Sequence, residues 1–524
     1  MIIGAGYRGL AYAEPIHASG EGVIAAVIDT SPFKRQAFGQ KYIWGPDGRS
    51  GPRKGESFAS WEDYISYEKN RRERLHAGEV QSDPGIDAAF VCVLDELHAA
   101  VVKALAPLGM HIMCEKPIAT RLEDVLGIYA ALAQSWKALH HQTVFAAGYV
   151  LRYSPANMLL RKLVRDERVI GDVVSVEHTD TIGWWHFAHS YVRGNWRKEA
   201  TSAPSLLTKS CHDIDFLLWL LCSPSGTQST SAALIPPHLP SRVTSMGRAH
   251  FFRSSRKPVA AGNATNCLSC PVESTCLQSA KKIYLDRHLA QGHVGKPVNQ
   301  VVPDIEDVLK TSGKVKAEER LLDALAEDYD EKTPAVVVDS RSWYGRCVWE
   351  SDNDVCDDQV VTMEWDDDPL PESSEVNFGP VHGRTAKIAQ FHMVALSNEV
   401  GGRKGRISGT AGEILYDLNS VQVIDLLTGQ ETVHPVDQND DIRLDRDKEL
   451  ALGFIRAVAK VKGGGMDAKK AQRVYLDCTV EDLIRSHLVV FWAEAARKNG
   501  KVLGWVDWWA KEVETKLKEM GVVV

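Results

Sequence analysis

The sequence predicts two domains, an N-terminal α/β domain with a parallel sheet and a C-terminal α+β domain with a large, open, mostly antiparallel sheet. The chain has 524 residues, which is more than one ordinary hydrophobic core accommodates. Over residues 1–148, strand-like apolar runs alternate with helical stretches, a pattern typical of a parallel sheet. Over residues 149–524, strand-like runs follow one another more directly, which favours antiparallel pairing.

The composition narrows the class of protein. Hydrophobic residues make up 44% and charged residues 25% of the chain, as in soluble globular proteins. The net charge of -8 gives no reason to expect nucleic acid or an anionic membrane as a partner. No apolar run reaches the ~18 residues of a membrane span, and residues 1–10 lack the features of a signal peptide. The 10 scattered cysteines do not resemble a disulfide scaffold, so we expect a cytoplasmic protein.

The strand-like runs of the first domain are short and rich in β-branched residues. They lie at Ile2–Ile3, Val23–Ile28, Ala88–Leu94 and His111–Cys114, with helical spacing of apolar residues at Ala99–Leu108 and Leu122–Ala133. The first strand has only about three residues, whereas strands usually have about 5–6. We therefore expect that the sequence is truncated or begins at a misplaced start codon.

The second domain contains a series of strand-like runs and two insertions. Its predicted elements are strands at Val173–Thr181, Val360–Trp365, Thr385–Leu396, Gly405–Ser408 and Val421–Leu427, and helices at His212–Leu221, Lys448–Val461 and Glu481–Lys498. One insertion is polar and charged and covers about 254–340. The other, at about 366–380, is rich in Asp, Glu, Ser and Pro and is predicted to be a mobile loop.

A glycine-rich motif of the form G-x-G-x-x-G, Gly4–Gly9, separates the first strand from a helical stretch. Such glycines let the backbone turn tightly and approach a pyrophosphate at the helix N-terminus. Asp29 ends the next strand, where a carboxylate binds the ribose hydroxyls of NAD. We therefore predict NAD as cofactor and consider NADP less favoured, although Lys34 and Arg35 could tolerate a 2′-phosphate. The alternative is a glycine-rich turn without a ligand.

Four ordered blocks carry a resemblance to a known family: the glycine-rich motif, Val91–His98 with His111–Pro117, Gly148–Pro155, and Lys209–Asp215. The sequence Glu-Lys-Pro at the end of the second block is that family's signature. Across nearly the whole chain, except the two insertions, the sequence resembles the glucose–fructose oxidoreductase, inositol dehydrogenase and rhizopine-catabolism family, Gfo/Idh/MocA. The resemblance implies a Rossmann domain, an α/β domain whose open sheet often mediates oligomers, and hence a homo-oligomer (dimer or tetramer).

The resemblance also implies a catalytic pair, Lys116 and His212, that faces the reacting carbon. Hydride transfer from a carbinol requires removal of the hydroxyl proton, which a base of near-neutral pKa achieves best. A partly desolvated lysine or a histidine meets that requirement. The residues implied to bind the cofactor are Gly4, Gly6, Tyr7, Arg8, Gly9, Asp29, Leu94, His98, Glu115 and Lys116.

Aromatic and basic residues crowd the segment Gly183–Arg197. Because indole rings stack on sugar rings and arginine binds hydroxyls or carboxylates, the segment predicts a pocket for a carbohydrate-like small molecule. A loop packed by its own aromatic side chains is the alternative. Asp215 lies three residues after His212 on the same helix face, where it could orient the imidazole or bind a substrate hydroxyl. The candidate substrate-binding residues are Asp215, Lys209, Trp185, Arg197 and Tyr153.

Two positions depart from the family pattern. Many members carry Asp four residues before the histidine, where this chain has Thr208, and Leu94–His98 replaces the more usual Thr-Pro-Asn run. Three functions therefore stay open. The first is an NAD-dependent oxidoreductase of a sugar, cyclitol or sugar acid. The second is an NAD-dependent glycosidase that oxidises C3 transiently and eliminates the aglycone, and the third is a nucleotide-binding regulator without catalysis.

The first insertion contains a cysteine cluster whose C-x-x-C spacing suits zinc. Tetrahedral zinc takes four ligands, and such an ion would be structural rather than catalytic. Free thiols packed in a loop are the alternative. The candidate ligands are Cys267, Cys270, Cys276 and Cys347, with His288 or His293 as replacements for the last.

Overall fold

The computed structural model describes residues 1–79, 85–222, 236–368, 384–398, 402–436 and 442–522. Most of the mobile loop predicted at about 366–380 lies outside the described residues. Within the described ranges the strands form two sheets, one in each predicted domain. The predicted fold class is therefore confirmed.

The first sheet is parallel throughout its described pairs, with the strand order β3-β2-β1-β4-β5-β6. Its strands are β1 (Ile2–Ile3), β2 (Val27–Ile28), β3 (Ser57–Phe58), β4 (Ala88–Val91), β5 (His111–Cys114) and β6 (Phe145–Ala147). The helices of this domain are α1 (Tyr7–Ser19), α2 (Pro32–Tyr42), α3 (Trp61–His76), α4 (His98–Leu105) and α5 (Leu122–Leu139). Strands β3 and β6 were not predicted, because neither has a distinct β-branched apolar run.

The second sheet is mostly antiparallel, in the order β14-β13-β12-β11-β7-β10-β9-β8-β15; among its described pairs, β7 with β10 alone is parallel. Its strands are β7 (Val173–Gly183), β8 (Arg242–Arg248), β9 (Asp358–Trp365), β10 (Lys387–Ser397), β11 (Gly402–Gly409), β12 (Gly412–Tyr416), β13 (Ser420–Asp425), β14 (Glu431–Pro435) and β15 (Leu503–Gly504). Along β9 buried residues alternate with half-buried ones, so one face of this strand packs against the core.

Helices also occur throughout the chain after β6, including the first insertion. They are α6 (Pro155–Arg161), α7 (Trp184–Phe187), α8 (Ser205–Thr208), α9 (Cys211–Leu221), α10 (Val298–Val301), α11 (Ile305–Ala326), α12 (Ala335–Asp339), α13 (Ile442–Lys462), α14 (Ala468–Leu476), α15 (Val480–Asn499), α16 (Trp505–Trp509) and α17 (Thr515–Glu519). The insertion contributes Tyr284, Leu321 and Leu325 to the buried core. None of the helices in the described ranges is long and apolar enough to cross a membrane.

The last long helices return to the first domain. Helix α13 packs on α1. Its Phe454 ring also meets the ring of Phe90 in β4 edge to face, with centroids 5.2 Å apart. In α14, the side-chain amide of Gln472 donates to the carbonyl of Phe145 (2.8 Å) and accepts from its N–H (3.3 Å). Because β6 is an edge strand, these bonds satisfy backbone groups that would otherwise be unpaired. Residues after 441 therefore complete the core of both domains.

A buried histidine in β5 predicts an acid-sensitive fold. His111 accepts a hydrogen bond from the N–H of Val144 through Nδ1 (2.9 Å), and burial lowers its pKa to about 4. The unfolded chain binds this proton near pH 6.5 and the folded chain only near pH 4, so acidification below 6.5 favours unfolding. We expect His111 to account for about 2 kcal/mol of lost unfolding free energy between pH 7 and pH 5.

Chemical denaturation at both pH values measures this loss. His111→Asn keeps an acceptor for the Val144 N–H and does not titrate, so its loss of stability between pH 7 and pH 5 should be smaller by that amount. An equal loss in the two proteins would contradict the assignment.

Candidate functional site

The glycine-rich turn between β1 and α1 uses its three glycines differently. Gly4 has φ of 96°, and a Cβ atom there would lie 2.4 Å from the carbonyl oxygen of Cys92. A Cβ atom at Gly9 would lie 2.1 Å from the carbonyl oxygen of Gly4. At Gly6, in contrast, no atom lies within 4 Å of that position. Gly4 and Gly9 therefore permit the tight turn and close packing, whereas Gly6 leaves open space through which a phosphate can approach the backbone.

Asp29 lies at the end of β2, next to this turn. Its carboxylate accepts hydrogen bonds from the N–H groups of Ala5 (2.9 Å) and Ser31 (2.8 Å). These bonds fix the carboxylate and leave lone pairs for further donors. The guanidinium of Arg35 donates to the carbonyl of Asp29 (2.5 Å). The position suits an acceptor for ribose hydroxyls.

Arg8 connects the turn to two other parts of the chain. Its Nε donates to Glu115 (2.7 Å), and its terminal nitrogens donate to Asp447 of α13 (2.8 and 2.9 Å). Tyr12 also donates to Glu115. Burial opposes ionisation of Glu115, but Arg8 and Tyr12 outweigh it and lower the pKa of that carboxyl. Arg8 and Glu115, both predicted to bind cofactor, are thus engaged with the protein itself, and Glu115 also accepts from the N–H of Lys116 (3.1 Å).

His98 joins the loop that follows β4 to the loop that follows β5. The ring is fully buried, with Nδ1 2.7 Å from the carbonyl oxygen of Pro117 and Nε2 3.1 Å from that of Val93. The loop that follows Val93 begins with Leu94, which is 57% exposed. His98 therefore positions the backbone around the site, and Leu94 presents an exposed apolar side chain there.

Lys116 and His212, distant in sequence, come together at the junction of the domains. The ammonium of Lys116 donates to the carbonyl of Thr208 (2.8 Å), one turn before His212 in the chain. Burial and the charges of Lys116 and Arg403 lower the pKa of His212 well below its usual value. Its Nδ1 is buried and has no hydrogen-bond partner among the described residues. The imidazole is therefore neutral near pH 7 and has an unpartnered nitrogen beside an ammonium group.

A second histidine, which sequence reasoning missed, supports this junction. His487 of α15 accepts from the N–H of Ile118 through Nε2 (2.8 Å). Burial lowers its pKa to about 3, so its single proton lies on Nδ1 and is donated to the Tyr149 hydroxyl (2.5 Å). The Tyr149 ring lies edge-on to that of His212, with centroids 6.0 Å apart. No motif surrounds His487, and its role depends on the fold alone.

Buried charges from the second sheet surround the start of α9. Lys209 pairs with Asp180 of β7 (2.6 Å), and Arg403 of β11 pairs with Asp213 (2.6 Å). Burial lowers the pKa of Lys209. Asp180 is fully buried, and its Oδ1 has no hydrogen-bond partner in the described parts of the chain. The sequence did not predict Asp180 or Arg403, although Asp180 supplies a carboxylate to Lys209, the residue after Thr208.

Asp215 does not have the role predicted for it. Its carboxylate is fully buried and accepts from Arg152 (2.6 and 2.9 Å) and from the hydroxyl of Ser486 (2.7 Å). It makes no hydrogen bond to His212. The prediction that Asp215 orients the imidazole or binds substrate is therefore corrected: it neutralises a buried arginine.

The prediction of substrate binding is likewise not supported for Arg197 and Tyr153. Arg197 is 3% exposed and pairs with Asp352 (2.6 Å). The hydroxyl of Tyr153 donates to a backbone carbonyl at the end of α14 (2.9 Å). Trp185 is half-buried and packs on His288 of the insertion, with ring centroids 4.9 Å apart. The polar groups of Arg197 and Tyr153 are thus satisfied within the protein.

The aromatic residues of Gly183–Arg197 pack largely on one another. Tyr191 stacks on Phe187 and on Trp196, with ring centroids 5.0 and 5.6 Å apart. This favours the alternative of a loop packed by its own side chains. The indole N–H of Trp196 donates to Asp95 (2.9 Å). Burial raises the pKa of Asp95, although nearby positive charges oppose the shift. The loop is thereby tied to an acidic residue next to the site.

The predicted cysteine ligands Cys267, Cys270, Cys276 and Cys347 line one small cavity, and all four are free thiols. His288 and His293 do not line it. In the described portion of the chain, no three His, Cys, Asp or Glu side chains stand in an arrangement that could hold a metal ion. The predicted zinc site is therefore not confirmed.

Comparisons with known proteins match both domains. A family model described as oxidoreductase family, NAD-binding Rossmann fold (GFO_IDH_MocA) matches residues 1–143. The model of the oxidoreductase family C-terminal alpha/beta domain matches residues 161–242. Levoglucosan dehydrogenase of Pseudarthrobacter phenanthrenivorans is 28% identical over 174 residues, 33% of this chain and 42% of the relative. Inositol 2-dehydrogenase 1 of Saccharopolyspora erythraea is 29% identical over 151 residues, 28% of this chain and 40% of the relative.

These matches therefore span less than half of the curated relatives. Solved structures align over more of the chain. Levoglucosan dehydrogenase in complex with NADH and levoglucosan aligns over 96% of this chain and 98% of its own, with a TM-score of 0.54 and 14% identity. An oxidoreductase domain protein from Kribbella flavida aligns over 96% and 97%, with a TM-score of 0.54 and 12% identity. At such identities the likeness shows the fold alone.

The two glycines Gly6 and Gly9 make a matched test of the turn. Gly6 has φ of -85°, which alanine adopts freely, so Gly6→Ala should unfold near the wild-type temperature. Its methyl group would occupy the approach to the backbone, and we expect NADH affinity to fall by about tenfold or more, equivalent to about 1.4 kcal/mol. Gly9→Ala should instead lower the unfolding free energy by about 1–3 kcal/mol, because its methyl group overlaps the backbone.

Thermal unfolding without cofactor and NADH titration separate these effects. A Gly6→Ala protein that binds NADH as the wild type does would contradict the proposed approach of the cofactor.

Proposed function

Because the chain belongs to the Gfo/Idh/MocA family of oxidoreductases, we propose that it is an NAD-dependent dehydrogenase. It transfers a hydride between the nicotinamide and a secondary hydroxyl group of a sugar, cyclitol or sugar acid. The observation that carries the proposal is the hydrogen bond of the Lys116 ammonium to Thr208, one turn before a neutral His212 whose Nδ1 is buried and has no partner among the described residues. An acid–base pair of this kind, at the junction of a dinucleotide-binding domain and a second domain, suits alcohol oxidation.

The residues available for the cofactor lie at one edge of the parallel sheet. The glycine-rich turn follows β1 and Lys116 follows β5, so both lie at the carboxyl ends of parallel strands, where such sheets bind nucleotides. The backbone of Gly4–Gly9 would hold the pyrophosphate, and Asp29 the adenosine ribose. NAD, when bound, supplies the hydride acceptor.

The protein's own contribution is proton transfer and charge stabilisation. Oxidation removes a proton from the substrate hydroxyl, and the neutral imidazole of His212 accepts that proton. The ammonium of Lys116 stabilises the negative charge that develops on the oxygen. Because the carbonyl of Thr208 accepts from the ammonium of Lys116 and the carboxyl of Glu115 accepts from its backbone N–H, its position is set before substrate arrives.

The substrate class is inferred from the site and from the names of related proteins. Levoglucosan and inositol dehydrogenases are among the curated relatives, which supports a polyol with several ring hydroxyls. Asp180, Lys209 and Arg403 contribute buried polar groups near α9, and such groups favour ligands that make many hydrogen bonds.

A comparison of Lys116→Met and His212→Asn with the wild type tests this mechanism, with NADH formation from sugars and cyclitols as the readout. Each should lower turnover by about 10²–10⁴-fold, the usual contribution of acid–base catalysis, with little change in NAD affinity. The double variant should lose much less than the product of the two, because the residues act as a unit.

Lys103→Met is the matched control, since Lys103 is a surface lysine paired with Asp124; it should keep wild-type turnover. A Lys116→Met protein that keeps more than about a tenth of wild-type turnover would have lost less than acid–base catalysis usually contributes, which would exclude the role.

The altered position Thr208 leaves an NAD-dependent glycosidase as the alternative. A dehydrogenase accumulates one NADH per product, so release of an aglycone from a glycoside without NADH would favour that alternative.

Asp29 predicts the choice of cofactor. Its carboxylate would accept two ribose hydroxyls, each hydrogen bond worth about 1.5–3 kcal/mol, and would repel a 2′-phosphate. Titrations should therefore show tighter binding of NADH than of NADPH. Asp29→Ala should weaken NADH binding more than NADPH binding. Equal affinities in the wild type, or tighter binding of NADPH, would refute the preference.

A further inference from the structure

The cysteine-lined cavity of the insertion takes no part in the proposed dehydrogenase chemistry. We propose that Cys267, Cys270, Cys276 and Cys347 bind a single structural zinc ion, which fastens the insertion to the segment that leads into β9. The proposal is independent of the proposed function, because it concerns different residues and a different measurement.

Backbone hydrogen bonds already bring the two distant cysteine segments together. The N–H of Cys267 donates to the carbonyl of Gly345 (2.8 Å), and the N–H of Cys347 donates to the carbonyl of Thr265 (2.7 Å). These reciprocal bonds form a short antiparallel bridge around Asn266. Cys267 and Cys347 are thus held side by side by the backbone, although 80 positions separate them in the sequence.

Tight turns place the other two cysteines on the same cavity. The N–H of Cys270 donates to the carbonyl of Cys267 (3.3 Å), which closes the C-x-x-C turn. The N–H of Cys276 donates to the carbonyls of Val272 (3.0 Å) and Glu273 (3.2 Å). All four side chains consequently line one cavity, an arrangement that loosely packed loop thiols would not require.

The sulfur of Cys267 has a hydrogen-bond donor that suits a thiolate. Arg193 donates to the sulfur of Cys267 (3.4 Å). A neutral thiol is a weak acceptor, whereas charged acceptors make hydrogen bonds about twice as strong.

The buried positive charge of Arg193 favours a negatively charged group in the cavity. Arg193 is 1% exposed, donates to the carbonyls of Arg346 (2.6 Å) and Gln278 (2.7 Å), and has no carboxylate partner among the described residues. An uncompensated buried charge is strongly unfavourable. Four thiolates and one Zn²⁺ carry a net charge of about -2, which would compensate the guanidinium.

The size of the cavity favours one ion. Its volume is about 10 Å³, roughly the room of one water molecule, which suffices for a single ion. The thiols do not stand at metal-holding geometry as described. A cysteine sulfur moves about a single staggered torsion, so zinc would draw the side chains inward without rearrangement of the backbone.

Such an ion would also influence the substrate side of the protein. Arg193 belongs to the aromatic segment Gly183–Arg197, whose Trp196 donates to Asp95 near Lys116. A zinc ion that fixes the insertion would therefore also fix the position of this aromatic segment, because Arg193 binds the cysteine cluster.

Elemental analysis of the full-length protein, purified without a metal-binding tag, tests the proposal. We expect about one zinc per chain, because a tetrathiolate site binds one ion. Protein refolded with Co²⁺ should show the visible bands of tetrahedral cobalt and intense sulfur-to-cobalt charge transfer, a signature that does not depend on enzymatic activity. Cys270→Ser and Cys276→Ser should each lose most of the zinc, whereas Cys222→Ser, a buried cysteine elsewhere, should keep it.

Three outcomes would overturn the proposal. The first is a folded wild-type protein that contains no zinc and takes up no Co²⁺. The second is an intact mass two hydrogens below the sequence mass, which indicates a disulfide. The third is iron with inorganic sulfide in place of zinc. Because zinc is counted in the purified protein, a failed dehydrogenase assay would leave this result unaffected.

Discussion

The ion-pair cluster of Arg8, Glu115 and Asp447 is the interaction on which the geometry of the site depends. One guanidinium bonds to the end of β5 and to helix α13, while its backbone belongs to the glycine-rich turn. Removal of one partner from a buried pair generally costs about 3–5 kcal/mol, because a charge is left uncompensated. The cluster thus couples the turn, the Lys116 loop and the C-terminal helices into one unit.

That unit explains how residues from distant parts of the chain produce a defined chemical environment. Glu115 accepts from the backbone N–H of Lys116, and His98 joins the loops that follow β4 and β5. His487 binds Ile118 and Tyr149. Each contact satisfies a polar group that is buried at the junction. The flexible lysine side chain therefore starts from a fixed backbone, and its ammonium binds the chain one turn before the neutral, desolvated His212.

The sequence predicted the parts of this arrangement that depend on local backbone requirements. Gly4 and Gly9 could be assigned because only a residue without a side chain fits the turn, and the alternation of strands and helices predicted the parallel sheet. Asp215 was misassigned because α9 is buried on almost every side. Helical periodicity places Asp215 beside His212 but does not show which buried partner it faces.

His487, Asp180 and Arg403 were missed for a related reason. Each reaches the site from an element distant in sequence, and no motif surrounds it. Arg197 carried a plausible signal for substrate binding, yet its donors satisfy carbonyl oxygens and a carboxylate within the protein. The residue types of a segment show how many hydrogen bonds its side chains can make, whereas the fold determines which groups those side chains bind.

The return of α13–α15 to the first domain has a consequence for biosynthesis. In the edge strand β6, the backbone of Phe145 is hydrogen-bonded by the side chain of Gln472, 327 residues later in the chain. The N–H of Ile118 donates to His487, 369 residues later. Contacts of such long sequence separation form late, because the ordering of the intervening chain must come first. During translation the nascent N-terminal sheet therefore emerges with one edge uncovered, and that edge stays uncovered until the C-terminal helices have been synthesised.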